Sequence, residues 1–292
     1  MVHERDSVAV SVARVDSRDS KGGFYEDSEV EEDRLCAVCP RGAHARERGS
    51  QAAWREAAAE AACSALLVLL TCLPACAQAP PLQRALAAGL VVAALVQCFD
   101  HVSGAMMNPA VTLAAVVTGH RSVRRGALYL AAQAAGAAAG GALLRALAPG
   151  APAACRTLPA HDVGAAQAAC VEALLGGVLA WANCASWDSR NRRLLDSWPL
   201  RVGLTVTGLA LAAGSLTGAS ANPLRSLAPA LYAGDFTAVW VYCVGPPSGA
   251  LCAAATYRAV WGAPAGAAAR GDSPPRAPAR PAPARPAPHS GA

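Results

Sequence analysis

The chain has 292 residues, of which 54% are hydrophobic, 15% charged and 5% aromatic, with a formal net charge of +5. That much apolar surface exceeds what a soluble domain of this size buries, so the composition argues against a soluble globule and for lipid as the main solvent. The arginines lie in loops and in the C-terminal tail, with no basic helix interleaved with aromatics, so the positive charge does not point to nucleic acid as a partner.

Residues 1–53 read as a disordered cytoplasmic tail: mixed charge, an acidic run from Glu26 to Asp33, and no apolar core of a signal peptide. Cys36 and Cys39 form a CxxC without a second Cys/His pair at zinc spacing, so no metal is expected there. A membrane helix needs roughly 20 apolar residues. Six stretches qualify, predicted as spans over 55–77, 84–103, 124–147, 165–186, 197–216 and 237–259. Cys63, Cys72, Cys98, Cys170, Cys184, Cys243 and Cys252 lie inside these apolar runs and read as small hydrophobes. Two shorter apolar pieces, 108–117 and 222–232, each begin at an Asn-Pro and are predicted to be re-entrant half-helices. Residues 262–292 form a Pro/Ala/Arg-rich tail that lacks the backbone donors regular structure needs and read as disordered.

The two halves repeat. Glu60 in the first span is followed by SGAMMNPAVTLA at 103–114, and Glu172 in the fourth by TGASANPLRSLA at 217–228. Three spans per half give the halves opposite orientations in the membrane, an inverted repeat with its site near the midplane. Arg121, Arg124, Arg125, Arg190, Arg192 and Arg193 on one face outnumber Arg84, Arg145 and Arg156 on the other, which predicts both termini in the cytoplasm.

In Asn108-Pro109-Ala110 and Asn222-Pro223-Leu224 the proline occupies the first helical position and the asparagine caps the helix. Two half-helices meeting head to head aim their positive dipole ends at one point, which repels cations and protons, while the asparagine amides can donate to a passing oxygen. Glu60 and Glu172 are costly in lipid and are predicted to hold loop amides. Arg225 is predicted to face the lumen, with snorkelling to the interface as the bland alternative. His101 reads as a loop-supporting histidine, with a pH-sensitive gate as the alternative.

On HVSGAMMNPAVTLA (101–114), TGASANPLRSLAPAL (217–231) and WVYCVGPPSGA (240–250), together with Glu60, Glu172 and Gln133, the chain resembles the major intrinsic protein family, the aquaporins and aquaglyceroporins, over 54–261. The resemblance implies an all-α membrane protein with the hourglass fold, six transmembrane helices plus two half-helices, assembled as a homotetramer with one pore per subunit and no cofactor. It also implies a selectivity constriction of Ala88, Ala210, Ala219 and Arg225. Water-selective members have an aromatic residue and a histidine where this chain has Ala88 and Ala210. That substitution implies a wider, less polar pore passing glycerol or urea as well as water, a pattern similar to insect entomoglyceroporins. Ser226, Ala230 and Tyr242 instead resemble the water-channel branch. Leu224 stands where the family has alanine and is expected to crowd or reposition the second half-helix, and Met106 stands where it has histidine.

No Ser/His/Asp, metal-ligand or phosphate-loop constellation is visible, so the chain reads as no enzyme. The leading expectation is a passive channel in the lipid bilayer of the plasma membrane. The alternative is a non-conducting family member with an adhesion or membrane-organising role.

Overall fold

The computed structural model describes residues 44–262 except 149, 189 and 192–195, with side chains from residue 53 onward. The acidic run, the Cys36/Cys39 pair, Arg192, Arg193 and the Pro/Ala/Arg tail lie outside the described residues. The order is α1 (His44–Cys76), which belongs from Ser50 onward to the same compact unit as all that follows, then α2 (Pro81–Ser103), α3 (Pro109–Val117), α4 (Val123–Leu147), α5 (Ala151–Ala154), α6 (Ala165–Trp187), α7 (Trp198–Thr217), α8 (Pro223–Ala233) and α9 (Val239–Thr256), which runs on into a π-helical turn at Tyr257–Trp261. No strand occurs among the described residues.

α1 from Ala53, together with α2, α4, α6 and α7, is long and apolar enough to cross a membrane. The sixth expected span is α9, 18 residues long and diluted at its centre by Gly245, Pro246, Pro247, Ser248 and Gly249. α3 and α8, with 9 and 11 residues, are too short to cross. The four-residue α5 has no counterpart in the sequence reading; its Ala-Pro-Ala-Ala carries no amphipathic period from which to predict it.

Polarity is inverted relative to a soluble bundle. Glu60, Glu172 and Gln133 are each 0% exposed, while Leu82 and Leu90 of α2 and Leu204 of α7 are more than half exposed. Such a surface is stable only in hydrocarbon, and the helices satisfy their own backbone groups there. Small residues set the packing distance. A Cβ on Gly136 of α4 would collide with the Ala61 carbonyl of α1, and one on Gly249 of α9 with the Ala173 carbonyl of α6. The same glycine-to-alanine approach therefore recurs in both halves, as lipid-embedded helices require in the absence of a water-driven force between them.

Candidate functional site

Each half-helix begins with the same cap. Asn108 has extended backbone (φ −150°, ψ 120°) and its side chain accepts from the Ala110 N–H at 2.9 Å. Asn222 (φ −148°, ψ 114°) accepts from the N–H groups of Leu224 at 3.0 Å and Arg225 at 3.4 Å. The asparagines also cross between the halves: Asn108 Nδ2 donates to the Ala221 carbonyl at 2.8 Å and Asn222 Nδ2 to the Met107 carbonyl at 2.9 Å. Each amide nitrogen carries two hydrogens, so one remains on each asparagine for a third party.

The chain entering each cap is bent. Ala105 and Met107 (φ 42° and 45°) and, in the second half, Ala219 and Ala221 (φ 46° and 48°) adopt left-handed backbone without being glycine. Such residues cost of order 1–3 kcal/mol each unless the surroundings fix them. Glu60 and Glu172 do so. Glu60 accepts from Ser103 Oγ (2.6 Å), the N–H groups of Met106 and Met107 (2.9 Å each) and Gln133 Nε2 (2.7 Å). Glu172 accepts from Thr217 Oγ1 (2.7 Å) and the N–H groups of Ser220 (2.9 Å) and Ala221 (2.7 Å). Because a peptide's C=O points opposite its N–H, the carbonyls of Ala105, Met106, Ala219 and Ser220 turn away from the carboxylates.

They turn toward a cavity of about 90 Å³, room for several waters. It extends from Thr71, Ala88 and Arg225 past Asn108 and Asn222 to Asn183 and Trp198. Arg225 is its one charged lining residue among the described residues, and its Nη1 donates to the Cys155 carbonyl at 3.1 Å. Ala88 and Ala219 line the cavity. Ala210 is half-buried on α7, whose lining side chains are Trp198, Val202, Val206 and Leu209.

Three sequence expectations change. Leu224 does not line the cavity: it packs outward against the cluster around Val68, Cys72 and Leu144, so the half-helix keeps its cap. His101 is exposed in the last turn of α2, and the loop is held on that side by Arg121 Nη2, which donates to the Ser103 carbonyl at 3.0 Å, and by Tyr129 Oη at 2.9 Å. Cys72 is not a free hydrophobe. It forms a disulfide with Cys155, 83 residues on, at a Cα–Cα distance of 5.2 Å.

The hydrogen-bonding roles of four hydroxyls, Ser226 among them, lie beyond the sequence expectations. Ser103 and Thr217, and Thr112 and Ser226, stand at the same 114-residue offset as the two caps and would have been found by extending the repeat. Thr112 Oγ1 accepts from Gln133 Nε2 at 2.9 Å, and Ser226 Oγ accepts from Thr157 Oγ1 at 2.7 Å and lies 2.6 Å from Ser220 Oγ.

The family model for Major intrinsic protein matches residues 47–257. Over 168 residues the chain is 44% identical to a probable aquaporin TIP4-2 of Oryza sativa subsp. japonica, a stretch covering 57% of this chain and 65% of that protein. Over 188 residues it is 42% identical to aquaporin-2 of Ovis aries, covering 63% and 69%. The solved aquaglyceroporin of Plasmodium falciparum superposes with a TM-score of 0.64 at 22% identity, over 71% of this chain and 96% of that one, a likeness of fold.

Proposed function

We propose, from the premise that the chain belongs to the major intrinsic protein family, that it is a passive channel for water and small uncharged solutes, glycerol or urea among them, that excludes ions and protons. The observation that carries this reading is the meeting of two asparagine-capped half-helices at one cavity, each Asn108 and Asn222 amide keeping a free donor where both helix dipoles point. A solute oxygen exchanges its water partners for those donors and for the outward-turned carbonyls. A cation meets two positive dipole ends and the Arg225 guanidinium.

Passage of a polyol is supported by the small and aliphatic residues Ala88, Ala219 and Leu209, which line the same cavity as Arg225. Among the described residues, no histidine lines this cavity and its one aromatic lining residue is Trp198 at the start of α7, so neither Ala88 nor Ala210 brings a ring or an imidazole to it, the pattern that resembles entomoglyceroporins. Orientation has two supports: the arginine bias of the loops, and the disulfide on the Arg225 side, since disulfides persist in oxidising compartments. Both support a reading with the termini in the cytoplasm. Assembly as a homotetramer in the plasma membrane follows the family pattern.

The test is stopped-flow swelling of proteoliposomes in gradients of water, glycerol and urea. Swelling above that of empty vesicles, without ionic current under voltage clamp, is expected. Swelling equal to empty vesicles with folded, inserted protein would leave the non-conducting, membrane-organising role.

A further inference from the structure

Arg225 makes one side-chain hydrogen bond among the described residues, and its acceptor is the backbone carbonyl of Cys155. Cys155 is also the residue tied covalently to Cys72 near the end of α1. The two residues that follow grip the same half-helix region: Arg156 pairs with Asp235, just past the end of α8, and Thr157 Oγ1 donates to Ser226 Oγ at 2.7 Å. Three consecutive residues of a connecting loop thus position α8, and the first of them is bolted to a membrane helix. Both cysteines are at most 1% exposed, within the cluster that takes up Leu224 and Ala228.

We propose that the Cys72–Cys155 disulfide is a positioning element of the constriction, fixing the carbonyl that aims the Arg225 guanidinium across the cavity. The proposal rests on the channel reading. A guanidinium has five donors. With one of them held by Cys155, the plane of the group is set and the remaining donors are presented to solute. Without the tether, the loop carbonyl shifts and the guanidinium samples other rotamers, altering the width and polarity of the narrowest wall. The first half has no such device: Val111 stands at the position equivalent to Arg225.

The full-length chain in proteoliposomes tests this, in a Cys76→Ser background. Cys76 is a free thiol one turn beyond Cys72, with its Sγ 3.1 Å from the Cys72 carbonyl, and its removal prevents an alternative pairing with Cys155. Dithiothreitol delivers two electrons and two protons to the bond, leaving two thiols and the cyclic disulfide of the reagent. Thiol labelling reports completion. Where the buried bond resists reduction, the Cys72→Ser, Cys155→Ser double variant takes its place. Reduction is expected to shift the glycerol-to-water permeability ratio by up to about tenfold, the factor set by one hydrogen bond of ordinary strength, and reoxidation to restore it. In Arg225→Val the same treatment leaves the ratio unchanged, because the two changes act on one group. A ratio insensitive to reduction, or an equal shift in Arg225→Val, would overturn the proposal and make the disulfide a staple of the fold alone. Absence of solute flux in the oxidised protein would instead remove the channel reading.

Discussion

Around the first half-helix, Thr112 receives its hydrogen bond from Gln133 of α4; around the second, Ser226 in the same register faces Ser220 and Thr157 of a loop. Gln133 lies four residues after Tyr129, and Pro246 lies four after Tyr242, whose hydroxyl donates to the Thr217 carbonyl as that of Tyr129 does to Ser103. A proline has no side-chain donor to reach a carboxylate. The first half-helix is therefore fixed from within the bundle, through one carboxylate and one amide. The second is fixed in part from outside, through a loop and a disulfide. The half that carries Arg225 is thus the one whose support reaches into a connecting segment.

Removing the carboxylates breaks the comparison most severely. Glu60→Ala takes the acceptor from four buried donors and Glu172→Ala from two buried donors and one half-buried one, at about 1–3 kcal/mol for each buried donor. Glu60→Ala is expected to yield no monodisperse protein on size exclusion in detergent, and Glu172→Ala a folded protein with a lower Tm. The reverse order would show that the loop contributes less to the second half than its contacts imply. Gln133→Leu should come next, at about 2 kcal/mol, because it strips a donor from both Glu60 and Thr112. Thr157→Val, its nearest equivalent in the second half, should cost about 1 kcal/mol or less in thermal unfolding.

At the constriction, Ala88→Phe places a ring in the cavity wall and should lower glycerol permeability about tenfold while single-file water persists. Ala210→His should act in the same direction but more weakly, since Ala210 is not among the α7 residues that line the cavity, whereas its neighbour Leu209 is. Solute permeabilities at equal surface density decide between them. An effect of Ala210→His larger than that of Ala88→Phe would move the constriction toward α7.

The smallest effect belongs to pH. His120, after α3, stacks on Trp187 (centroids 4.6 Å apart, interplanar angle 6°), and the same offset in the second half falls on Gly234. Desolvation against its neighbours, then the charge of Arg121, lowers its pKa to about 4 from 6.5. The folded state binds this proton less readily than the unfolded state, so the contribution is complete above about 6.5 and is lost as pH falls toward 4. Melting temperature should drop slightly across that window, and His120→Gln should flatten the drop. A Tm that rises on acidification would contradict the stacked, neutral imidazole.

Hydropathy sufficed to place α2, α4, α6 and α7 within a few residues, because a span in lipid must satisfy its backbone locally and be apolar along its length. The caps at Asn108 and Asn222 were legible for a similar reason: N-cap and first-turn proline preferences act within three residues. The outward packing of Leu224 was not legible, since whether a residue after the cap crowds the lumen depends on the helix behind it. Nor was the role of Arg121 in place of His101, two residues of similar chemistry separated in sequence and told apart only by where α2 ends.

By itself, the sequence determined the inverted repeat, the membrane as solvent and the two asparagine caps, since composition, period and capping are local properties. The tertiary structure alone decided that Cys72 meets Cys155, that the Cys155 carbonyl receives Arg225, and that Gln133 bridges Glu60 and Thr112 while its counterpart cannot. Each of these joins groups tens of residues apart, and no local preference encodes a distance between elements. That distance is set by how closely the backbones approach, at Gly136 against Ala61 and Gly249 against Ala173.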